Sequence, residues 1–159
     1  MKNQTCCFAG HRIIPAKDYS AIKARLEHEI VNLVDQGVCY FGAGGAVGFD
    51  TMAAQAILKL KPEYPHIRLI LVLPCKDQTK NWREKDKKIY DHILDKADKV
   101  VYTSEYYHKG CMHKRNRYLV DNSDFCICYL TQDSGGTAYT AGYARQKGLR
   151  IINVAMEDG

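Results

Sequence analysis

Six short apolar runs recur along the chain, separated by segments long enough to hold a helix: Thr5 to Ala9, Val38 to Gly42, Arg68 to Leu73, Lys99 to Thr103, Phe125 to Leu130 and Arg150 to Ala155. Short apolar runs alternating with longer amphipathic segments mark repeated β-α units, because each crossover between parallel strands needs about a dozen residues or more and is usually helical. Ile22, Leu26, Ile30 and Leu33 repeat at helical spacing, and Gly37 follows as a C-terminal cap. Met52, Ala53, Ala56, Ile57 and Leu60 mark a second helical face that ends at Lys61-Pro62. Trp82 to Ala97 carries Ile89, Ile93, Leu94 and Ala97 among many charges, as a helix exposed along one side does. Further helices are predicted over Met112 to Asn122 and from near Gly136 to before Gly148. The expected fold is a single Rossmann-like three-layer α/β domain over residues 1–159 with a mainly parallel sheet.

Composition removes several function classes. The chain is 46% hydrophobic and 26% charged, an ordinary globular balance that argues against disorder. Met1 to Thr5 is polar, and every apolar run is far shorter than the roughly 20 residues of a membrane span, so a cytoplasmic protein without membrane contact is expected. Seven cysteines with no Cys-x-x-Cys fit a reducing compartment. Cys6, Cys7, Cys126 and Cys128 fall inside apolar runs and read as small buried hydrophobes, so no metal site is expected. The formal charge of +5 favours anionic partners without separating a nucleotide from a nucleic acid.

In open parallel sheets, ligands bind outside the carboxyl ends of the strands. Two glycine-rich segments fall there. Gly42, Gly44, Gly45 and Gly48 lie between a predicted strand and a predicted helix, where backbone amides can approach a phosphate. Their spacing departs from G-x-G-x-x-G, and no G-x-x-x-x-G-K-[ST] is present, so neither ordinary dinucleotide-dehydrogenase chemistry nor P-loop phosphoryl transfer is indicated. Asp50 either complements the dipole of the helix it opens or contacts a ribose hydroxyl.

The second segment follows Phe125 to Leu130, where Ser134, Gly135, Gly136, Thr137 and Thr140 bring hydroxyls and free amides to another helix start. Just upstream, His113, Lys114, Arg115 and Arg117 form a basic stretch able to place a guanidinium over the same phosphates. Arg115 and Arg117 are two residues apart and so point to different faces of one helix.

These residues resemble a known family. Arg115-Asn-Arg117, then Asp121-Asn-Ser-Asp124, then Ser134-Gly-Gly-Thr-Ala-Tyr-Thr140 and Ala144 resemble the nucleotide-binding fold shared by DprA/Smf proteins and the LOG phosphoribohydrolases, the SLOG superfamily. The likeness is nearest to the YpsA-like group and runs nearly end to end, through Gly10-His-Arg12, Gly45-Ala-Val-Gly-Phe-Asp50, Pro74 with Gln78 and Trp82, and Ala97-Asp98. The resemblance implies a Rossmann-like sheet binding a small-molecule nucleotide or a derivative such as AMP, ADP-ribose or NAD, with Gly10, His11 and Arg12 at the mouth and Arg115 as the principal phosphate clamp. No further cofactor is required, and a homodimer is expected from the resemblance alone.

One departure bears on catalysis. LOG enzymes cleave the N-glycosidic bond of nucleoside monophosphates with a motif P-G-G-x-G-T-x-x-E that ends in a catalytic glutamate, whereas Thr137-Ala-Tyr-Thr-Ala-Gly-Tyr143 holds no carboxylate. Such chemistry needs one to stabilise oxocarbenium charge or activate water. The leading expectation is therefore a nucleotide-binding or sensing module with no assigned catalytic residue. An N-glycosidic enzyme of the phosphoribohydrolase or deoxyribosyltransferase type is the alternative if Asp50, Asp133 or Glu84 supplies the carboxylate. DprA-like binding of single-stranded DNA through the tyrosines at 102, 106, 107 and 118 ranks behind, since tyrosines in such number are more often half-buried packing residues.

Overall fold

The computed structural model describes residues 4–155, so positions 1–3 and 156–159 of the expected domain lie outside it. In chain order the elements are β1 (Thr5–Gly10), α1 (Ala16–Asp35), β2 (Tyr40–Ala43), α2 (Phe49–Leu60), β3 (Arg68–Leu73), α3 (Glu84–Lys96), β4 (Lys99–Tyr102), α4 (Cys111–Asp121), β5 (Phe125–Tyr129), α5 (Gly136–Gln146) and β6 (Arg150–Asn153). The strands form one sheet in the order β4-β3-β2-β1-β5-β6, with every neighbouring pair parallel. Strands and helices fall where the apolar periodicity predicts them, within a residue or two at most ends, three at the start of α2 and six at the start of α1, whose first turns are polar. Gly37 does follow α1 with a positive φ of 102° and donates its N–H to Val34 O at 3.0 Å.

The distribution of helices follows from chirality. From β1 to β4 the chain steps outward in one direction, then returns past β1 to add β5 and β6 on the other side. Parallel crossovers are right-handed in nearly all proteins, so a reversal of stepping direction moves the connecting helices to the opposite face. One core cluster accordingly joins α1, α2 and α3 through Leu26, Ile57 and Ile93, while another joins α4 and α5 through Leu119, Val120 and Ala144. Side chains alternate between these layers along each strand: Cys6 and Phe8 enter the first cluster, Cys7 and Ala9 the second. A one-residue slip of β1 would exchange those two sets.

The cysteines behave as packing residues. Cys6, Cys7, Cys126 and Cys128 are buried in the neighbouring strands β1 and β5, and no cysteine forms a disulfide among the described residues. Burial pushes the Cys128 thiol up to about 11, which keeps it protonated and unreactive near neutrality. Among the described residues no helix is long and apolar enough to cross a membrane.

The reversal of strand order places β1 beside β5, with the loop after β1 leading to α1 on one face and the loop after β5 leading to α5 on the other. Diverging connections leave a crevice at the carboxyl ends of these two strands.

Candidate ligand-binding site

The first glycine-rich turn is packed more tightly than its sequence suggests. A Cβ on Gly42 would lie 2.9 Å from Cδ2 of Leu119, and one on Gly45 would lie 2.5 Å from Cδ2 of Leu73. One on Gly48 would collide with the carbonyl of Arg12. On Gly44 it would stand 2.6 Å from Nη1 of Arg115 and 2.9 Å from Oδ2 of Asp50. These four glycines let α4, β3 and the loop after β1 close on the turn, and the turn meets the crevice through Ala46 and Asp50 instead. The expectation of an open backbone is thereby corrected at Gly45, whose missing side chain faces Leu73 and Tyr90.

Asp50 and Arg115 are the buried charges of this region. Asp50 accepts a hydrogen bond from Ala46 N at 3.3 Å, which folds the turn back onto the first turn of α2. Burial pushes its carboxyl above the ordinary value of 3.8, with Arg115, the Ala46 amide and Arg12 pulling the other way. Arg115 donates Nη1 to Gly44 O and Nε to Asn116 Oδ1. Burial pulls its guanidinium below its ordinary value, opposed by Asp50. Arg115 thus ties α4 to the first turn while still lining the crevice. Arg117 faces outward, as the two-residue offset predicts, and donates to Tyr139 Oη at 3.4 Å.

The second turn is open. Ser134, Gly135, Gly136, Thr137 and Thr140 line a cavity of about 300 Å³ together with Gly10, His11, Arg12, Asp50 and Arg115. A Cβ on Gly136 would meet nothing within 4 Å. No side chain caps α5, and its first backbone N–H with a helical acceptor is that of Tyr139, donated to Gly135 O at 3.0 Å. The amides of Gly136, Thr137 and Ala138 are left at the positive end of the helix dipole without helical partners. The Thr140 hydroxyl is not among the free donors, since it donates to Gly136 O at 2.9 Å.

His11 joins the two diverging loops. Its Nε2 accepts the backbone N–H of Thr131 at 2.9 Å, which requires the neutral ring with its hydrogen on Nδ1, and its carbonyl accepts Phe49 N–H at 3.1 Å. Burial lowers its pKa below the ordinary value of 6.5. A lowered native value means the unfolded chain binds the proton first, so this contribution is present above pH 6.5 and is lost as pH falls below it. We expect His11→Gln, titrated by urea denaturation between pH 7.5 and 5, to lose part of the acid-side decline that the natural protein shows. An unchanged slope would remove His11 from the account.

The structure brings together residues from both turns and the Gly10-His-Arg12 segment, but leaves Gly42, Gly44, Gly45, Gly48 and Arg117 off the cavity wall. Of the three carboxylates considered for bond cleavage, Asp50 is in the wall, while Glu84 opens α3 and Asp133 is exposed outside it. Phe8, Ala9, Ala46, Met112, Asn116 and Gln132 complete the lining. Gln132 carries a local signal, since it lies between the end of β5 and the turn. Ala46 lies inside the Gly45 to Asp50 segment and carries no signal of its own. The tyrosines at 106 and 107 are not packing residues: they are 67% and 64% exposed.

An all-parallel, doubly wound sheet with a polar cavity where strand order reverses defines a Rossmann-like α/β protein of the SLOG type. The chain belongs to the YspA SLOG family, which matches residues 15–156. It is 34% identical over 118 residues to a UPF0398 protein of Halalkalibacterium halodurans, covering 73% of this chain and 62% of that one. With UPF0398 protein YpsA of Bacillus subtilis it shares 28% over 144 residues, covering 86% and 80%. Among solved structures, DNA processing protein A (DprA) from Streptococcus pneumoniae matches with a TM-score of 0.67 at 16% identity, over 93% of this chain and 49% of that one. DNA processing protein A from Helicobacter pylori matches with a TM-score of 0.66 at 18% identity, over 94% and 64%. At such identities the likeness is one of fold.

Proposed function

We propose that this protein binds a nucleotide or nucleotide-derived ligand, of the AMP, ADP-ribose or NAD kind, with a phosphate at the amino end of α5. The observation that carries this reading is the open, uncapped start of α5 facing the exposed Arg12 across the same cavity. Backbone amides at a helix N-terminus and a guanidinium are complementary to a phosphate in both charge and hydrogen-bonding geometry. Among the described residues Arg12 makes no hydrogen bond or ion pair that would occupy it.

A ligand bound only by the native state raises its stability by mass action, by about 2.7 kcal/mol at a hundredfold excess over Kd. AMP, ADP-ribose and NAD are therefore each to be tested for a rise in melting temperature. Gly136→Val places a side chain over the amides where space is free, so it is expected to abolish the rise at a cost of less than about 1 kcal/mol in stability. A flat response across all three ligands would count against this reading. So would an undiminished rise in Gly136→Val.

A second reading is favoured by the exposed pair Tyr106 and Tyr107, with Lys109 nearby, on the loop leading into α4. Exposed tyrosines beside lysines can stack bases of a single strand, and the Helicobacter pylori relative in fold is described with a single-stranded DNA binding mode. Affinity for an oligothymidylate that falls steeply with salt in the natural protein, and is weakened in Tyr106→Ala/Tyr107→Ala, is the expected result of this second reading.

A further inference from the structure

We propose that the groove on the far side of Arg12 is a second compartment of the same site, and that it holds the distal half of a diphosphate-linked ligand, a nucleoside diphosphate joined to a second sugar or nucleoside. This deepens the phosphate reading of α5 and rests on it. The cavity at α5 measures about 300 Å³ and the neighbouring groove about 600 Å³, and the two share His11, Arg12 and Gln132 as a common wall. Ligand pockets generally run from about 300 to 1,000 Å³, so the first compartment alone sits at the lower end of that range and the joined pair near its upper end.

The shared wall is held from three directions. His11 Nε2 takes the Thr131 amide at 2.9 Å, the His11 carbonyl takes the Phe49 amide at 3.1 Å, and Gly48 packs directly on the Arg12 backbone. The exposed Arg12 guanidinium therefore projects from a fixed base and belongs to both compartments.

The two sides of this wall differ in chemistry. Toward α5 are free amides and hydroxyls suited to one phosphate. Beyond Arg12 the groove presents Ile13, which is 80% exposed, with Pro15 over the buried Tyr129, and carries Lys17 and Asp18 from the first turn of α1. An arginine at the junction suits a second phosphate adjoining the first, and the apolar surface beyond it suits the face of a sugar or a ring. A mononucleotide would leave that second compartment without a partner.

The test is isothermal titration of the full chain with ADP-ribose and with AMP as probes, in the natural protein, Ile13→Asp and Gly136→Val. Ile13 lines only the groove and is largely exposed, so its replacement leaves the fold intact. ADP-ribose is expected to bind the natural protein at least about tenfold more tightly than AMP, and Ile13→Asp to remove about that factor for ADP-ribose while changing AMP by less than about twofold. Gly136→Val is expected to weaken both by more than about tenfold. Equal affinities for the two probes, or an unchanged ADP-ribose affinity in Ile13→Asp, overturn the second compartment while a loss in Gly136→Val leaves the phosphate reading standing. No binding of either probe, or a Gly136→Val variant that binds both normally, overturns the phosphate reading and this inference together.

Discussion

Arg115→Ala is expected to destabilise the protein by about 1–3 kcal/mol, the usual cost of leaving buried polar groups short of a partner. Two groups are affected at once: Asp50, which keeps the Ala46 amide and Arg12 but loses the charge that pulls its carboxylate down most, and the carbonyl of Gly44, which accepts from Nη1. Natural domains are stable by only about 5–15 kcal/mol, so such a loss is large enough to read by urea denaturation at neutral pH. The pH dependence separates this cause from a packing cavity. Without Arg115, burial drives the Asp50 carboxyl further above its ordinary 3.8, so the native state holds a proton that the unfolded chain has released. Stability then falls as pH rises from about 4 until the raised native value is passed, and the deficit is smaller at pH 4 than at pH 7. Adding Asp50→Asn to Arg115→Ala should remove that pH dependence and recover part of the loss. A variant as stable as the natural protein, weakened only in ligand affinity, would make Arg115 a ligand clamp and nothing more.

That prediction also marks where the chain was legible and where it was not. Strand and helix periodicity is a local signal, and Ile22 to Leu33 or Met52 to Leu60 carry it over whole turns, which is why the layers could be drawn before the structure. The open start of α5 was equally local, since Ser134 to Thr140 sits directly after a strand. The Arg115 to Gly44 contact joins residues 71 apart, and no local pattern encodes it. Glycines are ambiguous for a related reason. One without a Cβ serves a ligand or a neighbouring element equally well, and only tertiary packing distinguishes Gly44, pressed by Arg115, from Gly136, open to the cavity. Tyrosine exposure is decided in the same way, by whether a helix happens to cover the ring. The loop after β4 leaves Tyr106 and Tyr107 uncovered.

Gly48→Ala is expected to cost about 3–5 kcal/mol, for two reasons that add. Gly48 adopts φ 86° and ψ −125°, a conformation that a residue with a Cβ reaches only at about 1–3 kcal/mol. An added Cβ also runs into the carbonyl of Arg12, which is backbone and has no rotamer through which to escape. Nor can the Arg12 segment readily retreat, because the preceding carbonyl of His11 is bonded to the Phe49 amide at 3.1 Å and its ring to the Thr131 amide. The clash is therefore relieved by moving the wall that carries the Arg12 guanidinium. Gly142→Ala provides the opposite case, a glycine inside α5 whose Cβ would meet nothing within 4 Å. It is expected to gain about 0.5–1 kcal/mol, because alanine loses less backbone entropy in a helix. Thermal denaturation of both variants, with ADP-ribose titrated into whatever fraction of Gly48→Ala remains folded, reads stability and wall position separately. A Gly48→Ala protein as stable as Gly142→Ala would show that the loop after β1 yields freely, and Arg12 would then lack the fixed base on which the two-compartment site depends.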